Sequence, residues 1–259
     1  MRNNIIVLCC FTVFIFINIK ASSQGSENKK LTLNSLEGLP VKVNVELDNV
    51  NDRIIVTLSS LESICVSGYR DLTQNIKVIK QKFILFHYRV RGGSGIKVER
   101  VMLVCVSKDH LFKAIDVVSM HSYKLHETYD KETDSLGLYN ESSIYKLSFI
   151  YDQFSKEASN QLTAIQYDKI KSKHDATKNH ETLDTLKFNF DSKNKVFCTG
   201  YGTLKGSYMV AGNSNKQTII KQNKYPIIKL KNVEYIFIDG VWYSKVRGNH
   251  LMESSPNCK

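Results

Sequence analysis

The sequence predicts a mainly β protein: an antiparallel, sandwich-like domain or two small β modules, with few or no helices beyond an N-terminal leader. Three observations carry this. Short runs of β-branched and aromatic residues alternate with polar ones, as in VKVNVELDN. Gly, Asn and Asp separate the runs, as turns between strands require. Asp239-Gly240 stands between VEYIFI and VWYSKV, a two-residue hairpin signal.

Taken in order, residues 1–23 read as a cleavable leader. Arg2 supplies the positive start, Ile5 to Ile19 an apolar run broken by Thr12 and Asn18, and Ala21 and Ser23 the small residues before a cut at Gln24. The run is shorter than the roughly 20 apolar residues of a membrane-spanning helix. A secreted, extracellular protein without a transmembrane span is therefore expected. Residues 24–28 are expected to be a flexible linker, 29–125 a β module, 126–142 a polar loop, 143–248 a second β module able to form one domain with the first, and 249–259 a C-terminal tail.

Within the first module, VKVNVELDN and RIIVTLSS form one expected hairpin. KFILFHYRV and IKVERVMLVCVS form another, with Gly92, Gly93 and Gly95 giving the turn its positive-φ freedom. LFKAIDVVSMHSYKL continues as strand. The loop ETYDKETDSLGLYNESS carries the sequon at Asn140, a glycosylation candidate. IYKLSFIYDQF reads as strand, and SNQLTAIQYDKIKSKHD as strand or short helix. KIKSKHDATKNHETLD looks weakly committed to structure. LKFNF, KVFCTGYG, GSYMVAG, QTIIKQ, PIIKLKN, VEYIFI and VWYSKV follow as strands. NIKVIKQKFILFHY and QTIIKQNKYPIIKL share enough to raise an internal repeat.

Leader removal takes away Cys9, Cys10, Arg2 and Lys20, lowering the formal charge from +11 to +9. Cys65, Cys105, Cys198 and Cys258 remain, an even number that predicts two disulfides in an oxidising compartment. The basic balance suits an anionic partner, or is simply a lysine-rich soluble surface. Lys77, Lys80, Lys82, Lys221, Lys224, Lys229 and Lys231 are the candidates for polyanion binding. Lys80 with Lys82, and Lys229 with Lys231, would each share one strand face. The alternative is a wet face with lysines guarding sheet edges.

No catalytic or metal constellation emerges. CTGYGTLKG, residues 198–206, resembles a phosphate loop, but the strand-like GSYMVAG follows where a helix is needed, so its glycines read as a turn or bulge. Ser94 lacks the flanking glycine of a nucleophile elbow. His121, His126, His174 and His180 miss helical zinc spacing, no cysteine pair has zinc-site spacing, and Asp109, Asp116, Asp130 and Asp134 are scattered. Neither a cofactor nor an enzymatic activity is expected. RNA- and DNA-binding motifs are absent, and secretion argues against a nucleic-acid partner. Trp242 reads either as a partner anchor or as a cover for its own core.

KNVEYIFIDGVWYSKV, with KKLTLNSLEG and VERVMLVCVSKDHLFKAIDV, resembles the strands of FAINT-type modules in secreted and surface proteins of piroplasm parasites (Theileria and Babesia). The resemblance implies display or release toward a host and transfers no functional residue. The mid-module DG and tryptophan segment has no counterpart in the first half, where HYRVRGGSG stands. The expected function is a noncatalytic basic binding protein, surface-associated or host-directed, whose partner is a sulfated glycan such as a glycosaminoglycan, or a host or cell-surface protein. The alternatives are a disulfide-linked coat or wall component of a spore, cyst or cell surface, and a secreted enzyme whose site assembles only on folding.

Overall fold

A computed structural model describes residues 26–59, 62–93, 95–126, 139–156, 160–172, 175–211, 216–231, 233–245 and 250–253. The expected leader and Cys258 lie outside the described residues. Among the described residues no helix is long and apolar enough to cross a membrane.

The protein is mainly β and is built from three sheets. Strands β1 (Glu27–Asn34), β2 (Pro40–Asp48), β3 (Arg53–Ser59) and β4 (Glu62–Ser67) form an antiparallel meander. Alternation decides its inner face: Val43, Val45 and Leu47 of β2 point inward with Leu33, Ile54, Val56 and Val66. β1 starts inside the expected linker.

The second sheet takes β5 (Tyr69–Leu72), β6 (Lys77–Ile79), β7 (Phe83–Val90), β8 (Ile96–Ser107), β9 (His110–His126), β10 (Tyr139–Phe149), β11 (Gln161–Ser172), β12 (His180–Asp191) and β13 (Val196–Cys198). From β7 to β13 neighbours in sequence are neighbours in the sheet, all antiparallel. This pairing crosses from the expected first module to the second through β9 and β10. The expected hairpin at Gly92–Gly95 forms. Only Gly95 uses a positive φ (78°). Gly92 is needed for space, since a Cβ there would lie 2.5 Å from the Ile96 carbonyl oxygen.

Both faces of β7 and β8 are buried, which places them at the centre. Ile84, Phe86, Tyr88, Met102, Val104 and Val106 pack on the first sheet, giving the sandwich. Phe83, Leu85, Val101, Leu103 and Cys105 face the larger core. The sheet curls over that core: Phe83 of β7 meets Phe190 of β12 and Phe197 of β13, with ring centroids 5.6 Å apart in both contacts. Phe154 fills the same centre from a short helix, α1 (Tyr151–Lys156). IYDQF was expected to prolong a strand; the chain instead turns after Phe149 and seats Phe154, fully buried, between Phe83 and Phe197.

The third unit is a closed barrel of β14 (Gly200–Ala211), β15 (Lys216–Leu230), β16 (Val233–Ile238), β17 (Val241–Lys245) and β18 (His250–Glu253). β18, within the expected tail, closes it by pairing parallel with β14. Ile228, Leu230 and Tyr235 turn away from the barrel into the larger core. Thr199 ties the two units: its N–H donates to the Ile227 carbonyl at 2.8 Å, and its hydroxyl accepts from Lys229 N–H at 3.0 Å. Asp239 (φ 48°) and Gly240 (φ 90°) make the expected two-residue turn, with Ile238 opposite Val241.

CTGYGTLKG is strand, as its surroundings require. Gly200 opens β14 and the pairing slips between Leu204 and Gly206, a bulge. Gly202 permits a close approach, since a Cβ there would meet Ile227 Cγ2 at 2.9 Å. KIKSKHDATKNHETLD is ordered on both sides of residues 173–174: β11 and β12 pair up to Ile170 and His180, beside a single 3-10 turn (Ala176–Lys178). The suspected repeat has no structural counterpart. Its first copy is the β6–β7 hairpin, and its second lies in the single strand β15.

Candidate anion-binding face

The seven lysines singled out from sequence do not form one surface. Lys80 and Lys82 lie in the turn between β6 and β7, not on a strand face, and Lys80 takes φ 49°. Lys80 Nζ sits 4.4 Å over the Phe154 ring, and Lys82 Nζ donates to the Leu36 carbonyl at 3.3 Å. Lys231 follows the end of β15 at φ 53° and reaches the buried Asp168, while Lys229 stands exposed beside the same cleft. Lys229 is exposed but pairs with Glu234 at 3.3 Å. Lys77 and Lys224 are exposed, and Lys221 lies in β15 among side chains outside the description.

Lys231 reaches a buried carboxylate that no local pattern signalled. Its Nζ is 2.7 Å from Asp168 Oδ1 and 5.2 Å over the Tyr145 ring. His180 Nε2 is 3.1 Å from Asp168 Oδ2. Asp168 is 5% exposed, and the Lys231 ammonium with the His180 contact offsets the cost of burying its charge. The hydrogen bond to Asp168 raises the His180 pKa above the ordinary imidazole value. This cluster lines an open cleft of about 700 Å3 with Lys229, Gln166 and Asp184. His174 lies outside the described residues.

The opposite face of the same strands is basic. Directly paired residues of an antiparallel sheet share a face. One row across the sheet reads Lys124, Ser142, Lys171. The next reads Lys97, Ser122, Ile144, Lys169, Glu181. Then come Glu99, Met120, Lys146, Tyr167, Leu183. Ser148, Ile165, Thr185 and finally Thr163, Lys187 complete it. Six lysines thus stand on one face with Glu99 and Glu181. At 3.3–3.4 Å per residue and about 4.8 Å between strands, the face measures roughly 27 by 19 Å.

Its two acids are engaged locally. Lys97 pairs with Glu99 at 3.1 Å, Lys169 pairs with Glu181, and the Tyr167 hydroxyl donates to Glu181 at 2.9 Å. Hydrogen bonds from Lys169 and Tyr167 hold the Glu181 pKa below the usual carboxylate range. Lys146, Lys171 and Lys187 are exposed and form no ion pair among the described residues. The face also exposes aliphatic carbon: Leu183 is 71% exposed, and Ile144 and Ile165 are each 37% exposed.

The other sequence-singled residues fall elsewhere. Trp242 packs on Phe237 with ring centroids 5.1 Å apart and against the larger core, lining a groove of about 370 Å3 with Phe112 and Val196. Asp116, in the same groove, is held by Arg100 and Tyr88. Asn140 lies in β10, at the bulge between Tyr139 and Glu141, rather than in a loop.

Two disulfides do not form. Any double pairing of four cysteines must join two of Cys65, Cys105 and Cys198, and all three are free. The reason is placement: Cys105 is buried in the larger core, Cys198 is buried in β13 beside the Asn189 carbonyl, and Cys65 is exposed on β4 of the other sheet. Among the described residues no three His, Cys, Asp or Glu side chains group as a metal site. Comparison with protein-family models, curated proteins and solved structures found no match.

Proposed function

We propose that this chain is a secreted, noncatalytic binding protein that engages an anionic partner through the outer face of β9–β12 and the exposed start of β8. The observation that carries the reading is the register, which collects Lys97, Lys124, Lys146, Lys169, Lys171 and Lys187 on one surface with two acids already in ion pairs. A field of one sign over such an area attracts polyanions and speeds their encounter, increasingly so at low salt. The noncatalytic part draws support from the buried acids. Asp168 is tied to Lys231 and His180, and Asp116 to Arg100 and Tyr88, so each serves as a structural counter-ion.

Elution from immobilised heparin tests this, with heparin as a probe for any dense polyanion. Wild type should elute above physiological salt. K146E/K171E/K187E should elute well below wild type, while K77E/K224E/K229E should elute close to it. Elution of wild type at or below physiological salt, or equal effects of the two triple variants, would overturn the assignment.

A further inference from the structure

The basic face has a second property that a soluble polyanion would leave unused. Leu183 stands 71% exposed on β12, two residues from Thr185, which pairs with Ile165. Ile144 and Ile165 flank Tyr167 one strand row to either side. The apolar positions occupy the middle rows, interleaved with Lys97, Lys169 and Lys146, with Lys124 and Lys171 at one end and Lys187 at the other. A lone wet leucine needs no explanation. Three aliphatic residues and a tyrosine sharing one sheet face among six lysines do.

From this arrangement we propose that the face docks on a lipid bilayer that carries acidic headgroups. The inference rests on the anionic-partner reading and names the partner. Charge complementarity sets the long-range attraction: lysines near an acidic bilayer each strengthen binding by roughly fivefold. Their stems lie along apolar surface while the ammonium groups stay at headgroup level. Leu183, Ile144 and Ile165 then reach the boundary of the acyl chains, and Tyr167 sits at the interface with its hydroxyl on Glu181. A sulfated glycan offers anionic groups and hydroxyls but little apolar surface to bury the leucine.

The test uses the full chain, sedimented with vesicles of phosphatidylcholine alone or mixed with phosphatidylserine, beside a heparin column. The apolar run at residues 5–19 is common to every variant, so differences between variants report on the face. Wild type should bind the phosphatidylserine vesicles and much less of the phosphatidylcholine ones. K146Q/K187Q should weaken vesicle binding by on the order of tenfold or more. L183S, at an exposed site that should not disturb folding, should weaken vesicle binding several-fold yet leave heparin elution unchanged. That split is the signature of the bilayer. Heparin retention without binding to acidic vesicles would sink the membrane inference and leave the anionic-partner reading standing. L183S binding vesicles as tightly as wild type would also sink it, because charge alone would then account for the attraction. Failure on both vesicles and heparin would remove both readings.

Discussion

Replacing Asp116 with alanine should be among the most costly single polar changes in the molecule, and the geometry says by how much. Asp116 Oδ1 accepts from Arg100 Nε at 2.9 Å and from the Tyr88 hydroxyl at 3.2 Å, while Arg100 Nη2 lies 2.9 Å from the same oxygen. The Arg100 and Asp116 side chains are only 14% and 11% exposed, and Tyr88 is fully buried. Losing the carboxylate leaves the Tyr88 phenol without its acceptor and the Arg100 guanidinium with only the Asp116 backbone carbonyl, 3.2 Å from Nη2, in the sandwich interior. Breaking a fully buried pair costs about 3–5 kcal/mol, and the residual exposure of Arg100 brings the expectation to roughly 3 kcal/mol. Y88F removes only one long hydrogen bond and should cost about 1 kcal/mol. The two effects that compete are desolvation and attraction, and R100M/D116L removes both. That double variant leaves only the Tyr88 hydroxyl without its acceptor and should therefore be closer to wild type than D116A. Urea denaturation, with D116A, R100A and the double alanine variant as a cycle, measures the coupling directly. A D116A cost below about 1 kcal/mol, or additive single variants, would refute the claim that this pair is buried and mutually dependent.

Two further outcomes follow from other sites. The Ser107 hydroxyl donates to Glu37 Oε1 at 2.5 Å and holds the Glu37 pKa down to about 2. The folded-state value is depressed, so its stabilisation is present above the ordinary value of 4.5 and fades as pH falls toward 2. E37Q should flatten the fall of the urea midpoint across that window, and an unchanged acid limb would remove Glu37 as its source. Iodoacetamide followed by peptide mapping should label the exposed Cys65 in the native protein. Cys105, whose pKa burial pushes up to about 12, and Cys198, also raised by burial, should react only after unfolding. Native-state labelling of Cys105 would mean that the larger core is open.

The mainly β class is written locally in the chain, because a period of two is a local property and burial of one strand face imposes it directly. VKVNVELDN and RIIVTLSS declare their hairpin, Asp239-Gly240 declares its turn, and the strand-like residues after CTGYGTLKG rule out a phosphate loop there. The basic face was illegible because its lysines come one or two to a strand from five strands, and only pairing brings them together. Lysines clustered in sequence misled for the complementary reason. Lys80 and Lys231 stand in turns at positive φ, where tertiary contacts to Phe154 and Asp168 outweigh the local alternation. Tyr151–Lys156 become helical because the curled sheet leaves a hole that Phe154 fills, and His250–Glu253 become a strand because β14 offers them an unpaired edge. Strand existence is written in neighbours two residues apart. Which strand meets which, and so what each outer face carries, depends on burying both sides of β7 and β8 at once, which only the whole folded chain can do.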